Sequence, residues 1–126
     1  MGRVILGAPR KRPSRNAQAT RAGELIFTVG SPFNWDTGEI VGNTIADQTR
    51  QTMENIKATL TACGSSLDVI DKCTVYVNSK EAVAGMNEVY YSYFPETTPV
   101  RSCFIVEFYN PMAMVEIEVI AHVEGK

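Results

Sequence analysis

Two β-prone runs close the chain and decide its reading: Pro99-Val100-Arg101-Ser102-Cys103-Phe104-Ile105-Val106-Glu107-Phe108 and Ala113-Met114-Val115-Glu116-Ile117-Glu118-Val119-Ile120-Ala121-His122-Val123. Each alternates with period two, so each has two faces. The connection across Tyr109-Asn110-Pro111-Met112 carries turn residues, and a hairpin centred between Asn110 and Pro111 sets Glu116 opposite Ile105 and Glu118 opposite Cys103. In that register Arg101, Cys103, Ile105 and Glu107 share a face with Met114, Glu116, Glu118, Ile120 and His122. The other face, Ser102, Phe104, Val106, Phe108, Val115, Ile117, Val119 and Ala121, is almost wholly apolar and is expected to lie under helices. The polar face raises the functional question, because a guanidinium is always charged and is rarely buried without a partner. The simplest reading of its charges is solvation. Cys103, Ile105, Met114 and Ile120 suit a wet face poorly, which points instead to burial against another subunit with a few charges lining a cleft.

Working back from that pair, the spacing predicts two helices. Ile45, Thr49, Met53, Ile56, Leu60 and Cys63 form one stripe, with Thr44 and Asp47 as a capping pair and Gly64 at the C-terminal cap. Val83, Met86, Val89, Tyr90 and Tyr93 form a second stripe, capped by Asn78 or Ser79 and stopped by Pro95. Leu67 to Val77 alternates as a strand, and Glu24 to Val29 is another, ended by Gly30 and Pro32. Arg3 to Leu6 is short and β-prone, Gly7 to Ala22 reads as irregular, and Glu39-Ile40-Val41 returns after the Asp36-Thr37-Gly38 turn. The order is β-β-(β)-α-β-α-β-β, an α+β sandwich with both helices on one face of a mixed sheet. At 126 residues the whole chain, 1–126, is read as a single domain.

Composition narrows the function. A hydrophobic fraction of 44% with 21% charged residues is that of an ordinary globular protein, and the net charge of −2 gives no global case for nucleic acid or membrane binding. The charge is uneven, since Arg3, Arg10, Lys11, Arg12, Arg15 and Arg21 supply half of the 12 Lys and Arg. Such a segment can track phosphates, but without interleaved aromatics it reads first as a solvated loop. No signal-peptide pattern and no membrane-length apolar run occurs, and the three cysteines lack metal-ligand spacing, so a cytoplasmic protein with reduced thiols is expected. One histidine leaves no metal set. In the hairpin register Cys103 and His122 lie on the order of 13 Å apart, too far for a nucleophile–base pair. Any chemistry is therefore expected to need no cofactor and no metal, using an arginine, carboxylates, hydroxyls, backbone groups and water.

Pro99-Val100-Arg101-Ser102-Cys103 followed by Val115-Glu116-Ile117-Glu118-Val119-Ile120-Ala121 closely resembles the end of RidA (YjgF-type) proteins, imine/enamine deaminases whose pattern there is P-A-R-S and then I-E-I-E-A-I-A. The resemblance runs from about Ala22 to Val123. It includes the Asp36-Thr37-Gly38 turn, the helix bearing Gln48, Thr49, Met53, Asn55 and Ile56, the Val75-Tyr76-Val77 strand, and Asn87, Tyr90 and Phe94. It implies a chorismate-mutase-like α+β fold assembled as a homotrimer, sheets inward and helices outward, with three sites between subunits. It also implies hydrolysis of 2-imino acids and their enamine tautomers, such as 2-aminoacrylate, to 2-oxo acids and ammonia. On that likeness Arg101 grips the substrate carboxylate, Glu116 orients or activates the water, Cys103 contributes mainly backbone, and Asn87, Gly30 and Asn16 line the cleft. Two departures bear on the substrate: Asn16 stands where the family's G-P-Y-S-Q-A segment has tyrosine, and Val29 precedes Gly30 where serine is common. Arg15 could fit the pocket to a more anionic acid. The competing readings are a non-catalytic trimer that senses small carboxylates with the same arginine clefts, and RNA binding or cleavage through the basic segment.

Overall fold

A computed structural model describes residues 2–125. Six strands form one mixed sheet: β1 (Val4–Leu6), β2 (Ala19–Ala22), β3 (Leu25–Gly30), β4 (Ile70–Val77), β5 (Val100–Ile105) and β6 (Val115–His122), in the order β1-β2-β3-β6-β4-β5. Two helices, α1 (Ile45–Ala62) and α2 (Val83–Ser92), cover one face. All pairings are antiparallel except β4 with β5.

The first helix forms where its stripe and caps require. Thr44 Oγ1 accepts from Asp47 N at 3.1 Å, which satisfies one orphan donor of the first turn. At the other end Gly64, with φ +75°, allows Ser65 N to donate to Leu60 O (2.8 Å) and Gly64 N to Thr61 O (3.2 Å), a Schellman closure. Between the caps, Thr49, Met53, Ile56 and Leu60 are buried against Ile26, Val75, Ile117 and Val119. Ser79 caps the short 3-10 turn Lys80–Ala82 that leads into α2, its side chain accepting from Ala82 N. A second 3-10 turn, Leu67–Val69, replaces the first residues expected of β4.

Buried polar side chains on α1 tie down the loops. Gln48 is 1% exposed. Its Nε2 donates to Gly42 O (3.1 Å) and Met112 O (3.0 Å), and its Oε1 accepts from Met114 N (2.8 Å). One buried side chain thus pairs with three backbone groups of two loops, and fixes the entry into β6.

The structure corrects the expected closing hairpin. Asn110 does form a turn, accepting from Met112 N (2.9 Å) and Ala113 N (3.1 Å), but β5 and β6 are not neighbours. The third strand of that trio, β4, lies between them, with Tyr76 paired to both Glu116 and Phe104. The face assignment changes with it. Cys73, Val75 and Val77 point to the helices and pair with Arg101, Cys103 and Ile105. Arg101 therefore lies on the helix side of the sheet, whereas Glu116, Glu118, Ile120 and His122 lie on the open side. The physical cause is the α2 crossover, which returns the chain parallel to β4. Two smaller differences concern Ala19–Ala22, expected to be irregular but a strand, and Glu39–Val41, which contributes only an isolated bridge between Phe33 and Ile40.

No helix among the described residues is long and apolar enough to cross a membrane. The open sheet face is partly apolar: Ile5, Phe27, Val29, Val100 and Phe104 are all exposed there.

Candidate active site

The sequence-predicted residues fall into two groups. Arg101, Asn87 and Cys103 gather at the β5 edge. Arg101 Nη1 donates to Asn87 Oδ1 on α2 at 2.7 Å. The guanidinium carbon lies 5.0 Å from the Tyr90 ring centroid and 5.2 Å from that of Tyr91, within cation–π range. Tyr90 is fully buried, and burial pushes its phenol well above the ordinary value. A neutral ring thus backs the charge, while Tyr91 is 45% exposed. Arg101 makes no salt bridge among the described residues, which leaves guanidinium donors free for an anion.

The strand itself adds donors. Val106 N donates to Val77 O at 2.9 Å, and a parallel pairing engages alternate residues, so the N–H and C=O groups of Arg101 and Cys103 point away from β4 along an open edge. Cys103 is half-buried against the core. His122 is far from it, on the other face, with Nδ1 2.9 Å from Asp71 Oδ2. Within one chain opposite faces of the sheet keep Cys103 and His122 apart, rather than the hairpin spacing that the sequence reading used.

The second group lies where β3 ends and β6 begins. Glu116 is half-buried and accepts from Ser31 Oγ at 3.3 Å. Ser31 is positioned by Asn55 of α1, whose Nδ2 donates to Ser31 O (2.9 Å) and Phe33 O (2.8 Å). Gly30 precedes Ser31, and Asn16 lines the adjoining cleft with Val29 and Ser31. Burial raises the Glu116 carboxyl above its ordinary value, the Ser31 hydrogen bond opposes this, and the Glu118 charge adds to it. Glu118 in turn accepts from Tyr76 Oη at 2.8 Å. A carboxylate held this way is a stronger base than an exposed one.

Ser31, Asn55 and Tyr91 were missed from the sequence. Ser31 supplies, one residue after Gly30, the hydroxyl that Val29 lacks. Asn55 carried a signal: it is a polar residue adjacent to the apolar stripe of α1, where an unpaired amide would be costly.

The two groups do not form one site within a chain. Glu116 and Arg101 point to opposite faces and stand two strands apart, roughly 10 Å in strand spacing alone. Among the described residues no three His, Cys, Asp or Glu side chains cluster as metal ligands.

The raised Glu116 carboxyl gives a pH prediction. If its carboxylate takes a proton during turnover, kcat/KM falls on the acid side with an apparent pKa above the ordinary value of about 4.3. Glu118→Gln moves that limb to lower pH by removing the neighbouring charge. Stability responds with the opposite sign. Between the unfolded and folded pKa values the folded state binds more protons, so rising pH costs stability. Glu116→Gln is expected to unfold at a higher Tm than the parent near neutral pH, with no such gain below the ordinary carboxylate pKa. Thermal melts across pH check it.

Comparisons place these features in a family. The sequence model described as Endoribonuclease L-PSP matches residues 10–123. A RutC family protein of Pyrococcus horikoshii is 46% identical over 109 residues, covering 86% of each chain. TdcF of Escherichia coli, whose name proposes a reactive intermediate deaminase, is 39% identical over 108 residues, covering 82% of this chain and 83% of that one. The crystal structure of TdcF with bound serine superposes with a TM-score of 0.81 at 32% identity, covering 94% of this chain and 97% of TdcF. The two-helix cover and the six-stranded mixed sheet are therefore those of a known group, and the chain belongs to the RidA (YjgF-type) family.

Proposed function

We propose that the chain is a cofactor-independent hydrolase that converts 2-imino acids and their enamine tautomers to 2-oxo acids and ammonia. The observation that carries this is the Arg101 receptor: a guanidinium fixed by Asn87 and two tyrosine rings, beside outward-facing backbone groups of a strand edge. That geometry suits a planar carboxylate gripped by two parallel hydrogen bonds. With the carboxylate held, the imine carbon needs only a positioned water and a proton acceptor. The water oxygen bonds to that carbon while its proton passes to Glu116. Glu116 returns that proton to the nitrogen, and the C–N bond breaks with its electron pair leaving on ammonia. The new hydroxyl gives its proton to Glu116 as the C=O bond of the 2-oxo acid forms.

Arg101 and Glu116 can serve one substrate only if they come from different copies of the chain. The proposed working form is a homotrimer with its sites at the subunit boundaries, the partly apolar open sheet face turned inward. Exposed Phe27, Val29 and Phe104 on that face support this arrangement, since contiguous exposed apolar surface marks association. A cytoplasmic setting is part of the same proposal.

The test follows release of 2-oxo acid and ammonia from 2-imino acids generated in place by amino-acid oxidation. Acceleration above spontaneous hydrolysis supports the reading. Thermal stabilisation by 2-oxo acids without acceleration replaces it with a carboxylate sensor. RNA binding is a second reading, favoured by the family model's description and by the basic segment Arg10 to Arg21. It requires affinity that falls steeply with salt and is lost when that segment is neutralised.

A further inference from the structure

A cleft of about 310 Å³ adjoins the Ser31–Glu116 group, bounded by Arg10, Arg12, Asn16, Ser31, Phe33 and Trp35. Two guanidiniums reach this small space, and neither forms a salt bridge among the described residues. Both have defined seats. Arg10 Nη2 donates to Asn16 O at 3.0 Å. Arg12 lies across Gly38, where any Cβ would overlap its guanidinium; the glycine, at φ +77°, thus provides both the turn and the space. Nearby carboxylates are engaged elsewhere: Asp36 accepts from Lys11 N (2.9 Å), and Glu116 from Ser31. The cleft is therefore a cationic compartment without an internal counter-ion, one hydrogen bond away from the proposed proton acceptor.

We infer that this compartment receives a second anionic group of the substrate, so that the preferred 2-imino acid carries a short side chain ending in a carboxylate. The inference rests on the deaminase reading and adds its substrate class. Arg101 of one copy takes the carboxylate next to the imine. Arg10 and Arg12, in the copy that supplies Glu116, take the distal one. Phe33 and Trp35 offer apolar wall to the methylenes between. Length limits the choice, because a cleft of this volume fits a few carbons. Charge does too: a polynucleotide following the same arginines would run its phosphates against Glu116 and Glu118, which face the open side nearby. Two guanidiniums on a carboxylate form charge-assisted bonds, stronger than neutral ones and dependent on planar geometry.

Two measurements test it, in the full chain. In the first, imines are generated from glutamate and from 2-aminobutanoate, and the protein's acceleration of each is compared. The acidic imine is expected to be favoured by at least about tenfold in kcat/KM. Arg12→Gln, and Arg10→Gln with Arg12→Gln, are expected to bring the ratio towards one while leaving the neutral imine's rate unchanged. In the second, thermal shifts are read with 2-oxoglutarate and 2-oxobutanoate, which need no turnover. Stronger stabilisation by 2-oxoglutarate, lost in the double variant, supports the subsite. Turnover of the neutral imine with no preference in either measurement overturns the subsite and leaves the deaminase reading standing. A binding preference for 2-oxoglutarate without turnover of any imine supports the subsite as a sensor pocket and overturns the deaminase reading. Arginine-dependent binding of a single-stranded RNA that 2-oxoglutarate fails to displace also overturns it.

Discussion

Equal co-expression of an Arg101→Ala chain with a Glu116→Gln chain is expected to restore activity that neither variant has alone. Each single substitution removes one half of every proposed site. Arg101→Ala loses the carboxylate grip and Glu116→Gln the proton acceptor, each costing on the order of 10²–10³ in kcat/KM. In a closed ring of three, every mixed trimer contains one boundary where an intact Arg101 from one chain meets an intact Glu116 from the next. Random assembly then returns about a quarter of the parental rate. The geometry gives this experiment its force, because Arg101 and Glu116 of one chain face opposite sides of the sheet. Recovery absent despite verified mixed trimers, with both single variants inactive, would mean that the two residues act from the same chain. Arg101→Lys is expected to restore little, since an ammonium cannot reproduce the planar fork.

A second large effect is expected at Gly30. Its φ is not in the left-handed region, so backbone strain is not why glycine stands there. Close approach is the reason. A Cβ at this position would lie 2.6 Å from Ile56 Cδ1 and 3.1 Å from Thr52 O, and would overlap Ile56 Cγ1. Ile56 is 1% exposed and has nowhere to retreat, while Thr52 O belongs to the helix backbone. Gly30→Ala must lift α1 from the end of β3, at about 2–3 kcal/mol, on the order of 10 °C in Tm. Ile56→Ala is destabilising by itself, yet it opens room for the new methyl group. The cost of Gly30→Ala should therefore shrink by about 1 kcal/mol or more in the Ile56→Ala background. Simple additivity of the two costs would refute the steric account. Activity is expected to fall with stability, because Asn55 on the same helix holds Ser31, and Ser31 holds Glu116.

Much of the fold was legible in the residues, and the failures have a common origin. The first helix could be read end to end because its stripe, its Thr44 cap and the glycine at 64 agree. The alternation of Val115, Ile117, Val119 and Ala121 correctly named the buried face of β6. In β5 the same alternation sorted residues into two sets but could not say which set faced the helices, and an assumed hairpin chose wrongly. The order β4, α2, β5 held the correction, since a strand, a helix and a strand in succession favour a parallel crossover. Ala19–Ala22 escaped notice because Ala-Thr-Arg-Ala has little β-branched or aromatic character. At the site, Asn16, Gly30 and Glu116 do gather, as do Arg101, Asn87 and Cys103. Their separation into two groups depends on strand order, which no local pattern encodes. The cationic cleft was invisible for a similar reason: Arg10 and Arg12 meet Phe33 and Trp35 only after the basic segment folds back over the loop following β3.

Strand order also bears on how the protein is made. The last strand in sequence, β6, is central in space, hydrogen-bonded to β3 on one side and β4 on the other. Until Val115–His122 leaves the ribosome, the growing chain has two half-sheets with unpaired inner edges, linked only through α1, which packs on β3 and on α2. Completion of the sheet is thus deferred until that strand has emerged, and the nascent chain exposes two unpaired strand borders until then. A chain stalled so that Val115–His122 has not emerged would be protease-sensitive and aggregation-prone, and emergence of that strand would join the two halves into one continuous sheet.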